Sequence, residues 1–168
     1  MCRNDSSFYD DRNTGMAVGR DVEAADAKAR HAASMVFPIG QPNEQYARYF
    51  TGASYLASVS LEQIGVYNVT FEPGCRNNWH VYRVQSGGGQ ILICIAGMGY
   101  DQEWGREAVE LLPGSVVNIP ARVKHWHGAA PDSWVFHLAM EVPGEGSSNE
   151  WLEAVGDQAY LLAASGRN

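Results

Sequence analysis

The chain has 168 residues, which suits one domain with a sizeable hydrophobic core and is short for two. Apolar residues make up 45% of the chain and charged residues 18%, which is the balance of a globular protein. The formal net charge is -7, with only 12 lysines and arginines and no basic run, so the composition excludes a nucleic-acid or anionic-membrane partner, which requires a positive face. The predicted partner is a small-molecule ligand or substrate.

The first 34 residues are polar, and residues 1–34 are predicted to form a flexible N-terminal arm with a short helix in the stretch "DVEAADAKARHAASM". No segment approaches the roughly 20 apolar residues of a membrane span, and the first residues lack the apolar core of a signal peptide. We therefore expect a cytoplasmic protein. The three cysteines are odd in number and lack C-x-x-C spacing, which indicates neither a disulfide framework nor a cysteine zinc site.

Residues 35–168 are predicted to form one β-rich domain. Short apolar segments closed by Gly or Pro follow one another, in the order "GVYNVTFEPG", "NWHVYRVQ", "GQILICIAGMGYDQEWG", "EAVELLPGSVVNIPA", "KHWHGAAP" and "SWVFHLAMEVPG". Regular short strands with tight turns indicate a closed barrel or a sandwich. The acidic residues among them are interpreted as a solvated face: Asp101, Glu103, Glu107 and Glu110. Only the tail is predicted to be helical, first over "EWLEAV" and then over "DQAYLLAA".

Four of the five histidines lie between positions 80 and 137, at His80, His125, His127 and His137. Because side chains alternate along a strand, His80 shares a face with Tyr82, and His125 shares a face with His127. If the two strands face each other across a barrel, their imidazoles converge. Neutral imidazole is a good ligand for transition metals, and an amide oxygen can complete the ligand set.

Two spaced motifs contain His80 and His125. The first runs from Gly74 through five residues to His80 and Tyr82, and then from Gln90 through six residues to Gly97. It resembles the first cupin motif, G-x5-H-x-H-x3-4-E-x6-G. Tyr82 stands in place of the second histidine, Gln90 stands in place of the glutamate, and the segment "RVQSGGG" lengthens the gap between them.

The second motif runs from Gly114 through five residues to Pro120 and through four more to His125. It resembles the second cupin motif, G-x5-P-x-G-x2-H-x3-N, with Arg122 in place of the internal glycine. Sixteen residues separate Gly97 from Gly114, which is close to the short spacing between motifs in this family. Together, in order and at this distance, the two motifs are specific.

The resemblance implies an all-β fold, the cupin-type double-stranded β-helix or jelly-roll barrel with a short C-terminal helical segment, assembled as a homodimer. Within the cupins, the chain is similar to small single-domain bacterial cupins that include manganese-dependent hydroxynitrile lyases and cupins described beside carboxymuconolactone decarboxylases. The implied function is that of a metal-dependent lyase or decarboxylase acting on a hydroxy- or carbonyl-bearing small molecule. Two alternatives stay open: a non-enzymatic cupin that binds a small ligand at a degraded metal site, and a metal-dependent oxygenase.

The same resemblance assigns the site residues. His80, Gln90 and His125 match positions of metal ligands in the lyases, and the implied cofactor is a divalent metal: Mn, Fe, Ni or Zn. His127 and His137 match further histidines beside that metal, where we expect them to act as acid and base.

Tyr82 leaves three interpretations open. Its phenol could be a metal ligand, which requires deprotonation of a group whose free pKa is about 10. Alternatively, His80, Gln90 and His125 hold the metal weakly with Tyr82 as a hydrogen-bond partner, or the site holds no functional metal. The second is our hypothesis, because the three spacings are intact. The glycine-rich segment is interpreted as a loop or bulge that restores register, and an odd shift would turn Gln90 outward.

Overall fold

The computed structural model describes residues 25–166, which divide into two compact units between Val36 and Phe37. In the first unit, residues 25–34 are helical, so the short helix predicted there is confirmed for this part. Residues 1–24 of the predicted arm and residues 167–168 lie outside the described residues. The flexibility of the arm and the domain boundary at residue 35 stay predictions. No helix within residues 25–166 is long and apolar enough to cross a membrane.

The second unit consists of short strands, a 3₁₀ helix at Glu44–Tyr49 and a C-terminal α-helix at Asp157–Ala164. The strands in chain order are β1 Gln41–Pro42, β2 Phe50–Thr51, β3 Ser54–Ser60, β4 Val66–Phe71, β5 Arg76–Asn77, β6 His80–Arg83, β7 Ser86–Gly87, β8 Gly89–Gly97, β9 Gly99–Glu103, β10 Val109–Leu111, β11 Val116–Pro120, β12 His125–Ala129, β13 Val135–Glu141, β14 Gly144–Glu145 and β15 Ser148–Trp151. The all-β fold with a short C-terminal helix is therefore confirmed.

The strands pair antiparallel in two main sheets. One sheet has six strands in the order β1-β3-β4-β13-β8-β11. The other has seven, in the order β10-β9-β12-β5-β2, with β6 pairing both β12 and β15. The inward faces of both sheets contribute to one hydrophobic core, whose fully buried members include Phe71, Leu92, Ala129 and Val135. The alternation of apolar residues along each strand places one face in this core.

The helix predicted over "EWLEAV" is wrong. Ser148–Trp151 is instead strand β15, which pairs with β6 so that Trp151 lies opposite His80. The Trp151 ring stacks on Tyr49 with ring centroids 4.8 Å apart and lies at the same distance from the His80 ring. Pairing satisfies the backbone of β6 and packs the indole, and this tertiary context outweighs the local helix propensity.

The glycine-rich segment restores the strand register, as predicted. Gly87, Gly88 and Gly89 all have positive φ, at 67°, 75° and 117°. A Cβ on Gly89 would lie 2.5 Å from the carbonyl oxygen of Ile119, so only glycine allows β8 and β11 to approach at this point. Gln90 follows directly and is 7% exposed, so its side chain points into the barrel.

Arg122 stabilises the lengthened segment "RVQSGGG" through hydrogen bonds to its backbone. It is the only non-glycine residue with positive φ, 68°, in the described part of the chain, and it stands where the motif has glycine. Its guanidinium donates to the carbonyls of Val84 and Gln85 at 2.9 and 2.8 Å, and its backbone N–H donates to the carbonyl of Tyr82 at 2.9 Å. These bonds offset the steric cost of a left-handed backbone and fix the segment between Tyr82 and Gln90.

Arg76 fastens the C-terminal helix. Its guanidinium is buried, donates to the carbonyl of Val155 at 3.1 Å and forms an ion pair with Asp157. The same group lies over the Tyr160 ring, 4.5 Å from its centroid, and the Tyr160 hydroxyl donates to the carbonyl of Ala129 at 2.7 Å. The helix therefore covers the outer face of the sheet that carries β12.

Candidate metal centre

A cavity of about 650 Å³ opens into the barrel, and side chains from both sheets line it. Six of the lining residues are aromatic: Tyr46, Phe50, Tyr67, Phe71, Tyr82 and Trp151. Its size falls within the range of small-molecule sites, about 300–1,000 Å³. Among the residues predicted to form the site, His80, Gln90 and His127 also line this cavity.

His80 begins β6 and His125 begins β12, and the two residues lie opposite each other in the strand pairing. Nδ1 of His80 lies 3.0 Å from the carbonyl oxygen of Asn78, and Nδ1 of His125 lies 3.0 Å from that of Val123. Because a carbonyl only accepts, each neutral ring carries its proton on Nδ1 and keeps a lone pair on Nε2. The ring centroids are 4.0 Å apart, so two potential ligand atoms share one small region.

His127 completes a group of three imidazoles. One ring nitrogen from each of His80, His125 and His127 lies within 4.8 Å of the other two, and all three residues are buried. A group of this kind could hold a metal ion. His127 follows His125 by two positions on β12, so the alternation of the strand turns both rings to the interior.

Asn77 holds His127 in place. Its Oδ1 accepts the backbone N–H of His127 at 2.9 Å, which identifies the other end of the amide as the NH₂ group. That nitrogen lies 3.0 Å from Nε2 and 3.4 Å from Nδ1 of the ring. A group so close to both nitrogens lies over the face of the ring and away from the lone-pair directions, which are in the ring plane. Both edge nitrogens of His127 are therefore left for another partner.

Gln90 links the imidazoles to Tyr82. Its Oε1 lies 3.0 Å from Nε2 of His125, and its Nε2 donates to the Tyr82 hydroxyl at 3.1 Å. Since Nε2 of neutral His125 is an acceptor, two acceptors face each other, which is unfavourable unless a cation or a proton lies between them. Turning the amide over would also satisfy these groups, so the donor set as a whole, three imidazoles and an amide, carries the fit to a metal.

Burial keeps these histidines neutral. Desolvation lowers the pKa of His125 to about 4 and holds the pKa of His80 well below its ordinary value, with the neighbouring His125 adding to the effect on His80. Desolvation, followed by repulsion from the neighbouring histidines, likewise holds the pKa of His127 well below its ordinary value. Neutral imidazole is the form that binds metals. Burial and the carboxylate of Glu141 raise the pKa of Tyr82, so its hydroxyl stays protonated.

His137 lies behind the cavity wall. It is fully buried on β13, its ring is 5.1 Å from the His127 ring and 5.2 Å from the Phe71 ring, and it does not line the cavity. Neither of its ring nitrogens has a hydrogen-bond partner among the described residues. An acid or base at this position would therefore act through His127.

We expect His137→Leu to raise the free energy of unfolding by about 1–3 kcal/mol, because it removes two buried nitrogens without partners from a site of similar volume. Urea unfolding at neutral pH measures the change. His137→Gln is the matched control, since it keeps a buried polar group and should bring no such gain. Lower stability in the leucine variant would contradict the prediction.

The predicted site residues largely meet in space. His80, Tyr82, Gln90 and His127 line the cavity, and His125 contacts them from beside it. Two further residues that line the cavity were missed: Asn77 and Trp151. Asn77 precedes His80 in a polar run that resembles a turn, and Trp151 was assigned to a helix.

The interpretation of Asp101 as part of a solvated face is wrong. It is 2% exposed and lies opposite His127 in the pairing of β9 with β12. Its Oδ1 has no hydrogen-bond partner among the described residues, and burial, with a smaller contribution from Glu103, raises the pKa of its carboxyl group to about 8. The sequence carries no local signal of this burial, because Asp101 begins the polar run Asp101, Gln102 and Glu103.

Comparisons with known proteins agree with this architecture. No family model matches the chain. The (R)-mandelonitrile lyase of Granulicella tundricola is 43% identical over 93 residues, which are 55% of this chain and 68% of the lyase. A cupin-like protein from Thermotoga maritima has a crystal structure that matches with a TM-score of 0.68 and 35% identity, over 80% of this chain and 100% of that protein.

The first of these relatives is an enzyme, which supports a cupin of the enzyme kind. The second shares the fold over its whole length. Both similarities agree with the two spaced motifs and with the antiparallel barrel. The chain therefore belongs to the cupin superfamily.

Proposed function

We propose that the protein is a metal-dependent carbon–carbon lyase that acts on a small hydroxy- or carbonyl-bearing molecule, as a hydroxynitrile lyase does. The proposal rests on the convergence of His80, His125 and His127 beside a cavity of small-molecule size. Similarity to an (R)-mandelonitrile lyase supports the substrate class. Cleavage of such a cyanohydrin removes the hydroxyl proton and breaks the bond between the carbinol and nitrile carbons. The cyanide takes up a proton, and the products are an aldehyde and hydrogen cyanide.

The donor atoms fit a divalent cation, and His80, Gln90 and His125 would hold it. When bound, a divalent cation stabilises negative charge on a substrate oxygen as a Lewis acid. The hydrogen bonds from Nδ1 of His80 and His125 to backbone carbonyls fix both rings in the orientation that presents Nε2. Manganese is the metal implied by the resemblance to the lyases, and iron, nickel and zinc are the other candidates.

The cavity walls suit an aryl-bearing substrate. Rings of Tyr67, Phe71 and Trp151 line the cavity and can pack against the face or edge of an aromatic group. The protonated hydroxyl of Tyr82 faces the same space and can donate a hydrogen bond to a substrate oxygen or nitrogen. Glu141 also lines the cavity, where its carboxylate accepts from the Ser147 hydroxyl at 2.7 Å.

Two roles are open to His127 in this reaction. It borders both the metal-capable group and the cavity, so it can either ligate the cation or exchange a proton with substrate. His137 contacts only the far side of this arrangement and would orient His127.

Mandelonitrile cleavage tests the proposal directly. Protein loaded separately with Mn²⁺, Fe²⁺, Ni²⁺ or Zn²⁺ is expected to release benzaldehyde faster than the uncatalysed reaction with at least one metal, and chelator should abolish the difference. Benzaldehyde absorbance measures the rate, and metal content measured on the same sample shows that the site is loaded. Stoichiometric metal without cleavage for all four ions would overturn the proposal.

Two other outcomes distinguish the alternatives. Tight binding of an aromatic ligand without turnover would indicate the non-enzymatic binding cupin, and oxygen uptake with Fe²⁺ and substrate would indicate the oxygenase. The homodimer, the manganese preference and the cytoplasmic location stay predictions.

A further inference from the structure

We infer that His127 takes over the ligand role that Tyr82 cannot fill, so that His80, His125 and His127 form a three-imidazole metal site, and that Tyr82 is a hydrogen-bond donor facing the cavity. The motif predicts a metal ligand at position 82, and this inference assigns that function to position 127 instead. The inference concerns the metal of the proposed function, but its tests measure metal binding and need no turnover.

The geometry favours His127 as a ligand. Its ring centroid lies 5.5 Å from that of His80 and 6.2 Å from that of His125, and the three rings bring one nitrogen each within 4.8 Å of the others. His125 and His127 lie on one strand, and His80 begins the strand that pairs with it, so the pairing of His125 with His80 brings the three rings together. Three buried imidazoles thus offer one nitrogen each to the same small region, and one shared cation can bind all three.

Asn77 supports this role. By accepting the backbone N–H of His127 and covering one face of the ring, it fixes the ring without occupying an edge nitrogen. Asn77 is 2% exposed, and its amide has both ends engaged by His127. A buried amide that holds the backbone N–H and covers one face of the ring limits the movement of that ring.

Tyr82 is suited to hydrogen bonding and not to metal ligation. A phenol binds a divalent cation well only as a phenolate, and the carboxylate of Glu141 on the same cavity wall opposes a second negative charge. The Tyr82 hydroxyl lies 3.1 Å from the amide nitrogen of Gln90 and lines the cavity, so it has a hydrogen-bond partner other than a cation. Gln90 in turn directs its carbonyl oxygen to His125 and can add one oxygen donor to the three imidazoles.

This donor set has a metal preference. Imidazole ligands suit zinc, nickel, iron and copper, whereas manganese is best served by carboxylate, carbonyl and water oxygens. A site with three imidazoles is therefore expected to prefer Zn²⁺ to Mn²⁺ by a wider margin than a site with two.

The Zn²⁺ affinity of three variants tests this assignment of the ligand. The affinity is measured by competition with a chromophoric chelator. His127→Leu is expected to weaken Zn²⁺ binding more than about 100-fold, since it removes a ligand. Tyr82→Phe removes only a hydrogen-bond partner of Gln90, so its loss should stay within the roughly 10- to 100-fold range of an outer partner. His31→Leu is the matched control, because it removes a histidine outside the metal-capable group, and it should bind Zn²⁺ as the unmodified protein does. Unchanged affinity in His127→Leu, or an equal loss in Tyr82→Phe, would overturn the inference.

X-ray absorption at the zinc edge gives a readout that needs no variant. The Zn²⁺-loaded protein is expected to show three imidazoles around the metal, and a count of two would contradict the inference. The outcomes also separate the two proposals. Three imidazoles on zinc without mandelonitrile cleavage would uphold this inference and overturn the lyase, whereas cleavage with two imidazoles would do the reverse.

Discussion

Replacing His125 by leucine is expected to weaken metal binding more than about 100-fold and to reduce cyanohydrin cleavage to the uncatalysed rate. His125 belongs to every ligand set considered, is fully buried, and lies 3.0 Å through Nε2 from the oxygen of Gln90. Loss of an outer partner of a metal ligand already costs about 10- to 100-fold, so loss of the ligand itself costs more. Metal content after dialysis and benzaldehyde release measure the two effects.

Leucine at position 125 fills most of the volume of the ring, so the barrel should still fold, and circular dichroism checks this. His31→Leu serves as the control, because it removes a histidine that does not belong to the metal-capable group. If His125→Leu kept its metal, the cation would have to lie elsewhere in the protein.

Acidification is expected to destabilise the metal-free protein strongly. Burial lowers the pKa of His125 and of His137 to about 4, against an ordinary value of 6.5. These histidines bind protons more readily in the unfolded chain than in the folded one. Their contribution to the free energy of unfolding is therefore complete above about pH 6.5 and is lost as the pH drops toward 4. Acidification from about pH 7.5 to about pH 5 lowers the free energy of unfolding by about 2 kcal/mol for each of these two histidines. His80 and His127 act in the same direction.

Asp101 opposes this effect. Its pKa is raised to about 8, so the folded state holds a proton that the unfolded state has lost, and acidification over the same interval contributes about 3 kcal/mol of stability. The four histidines together outweigh it. Urea unfolding in chelator at several pH values measures the net loss, and Asp101→Asn should steepen it by removing the opposing group. Constant or rising stability toward pH 5 would show that the buried histidines already carry protons.

Much of the site was accessible from sequence. The spacings from Gly74 to His80 and from Gly114 to His125 match a known barrel, and alternation along β12 places His125 and His127 on one face. These features are local, because they depend only on the period of a strand and on turns made by glycine and proline. For the same reason most strands and the C-terminal helix were predicted correctly.

The errors occur where distant segments decide the outcome. Trp151 lies in a stretch with helical propensity, and only the pairing of β15 with β6 makes that stretch a strand. Asp101 belongs to an acidic sequence, and only the pairing of β9 with β12 buries it. The inward direction of Gln90 depends on three positive-φ glycines and on the hydrogen bonds from Arg122 to the backbone of the same segment.

The sequence by itself determined a cupin barrel, a set of histidines able to bind metal and a tyrosine at a ligand position. Only the tertiary structure decided that His127 lies within 4.8 Å of the other two imidazoles while Tyr82 bonds to Gln90. The physical reason is that alternation fixes which face a side chain takes, whereas the distance between two side chains on different strands depends on their register and on closure of the barrel.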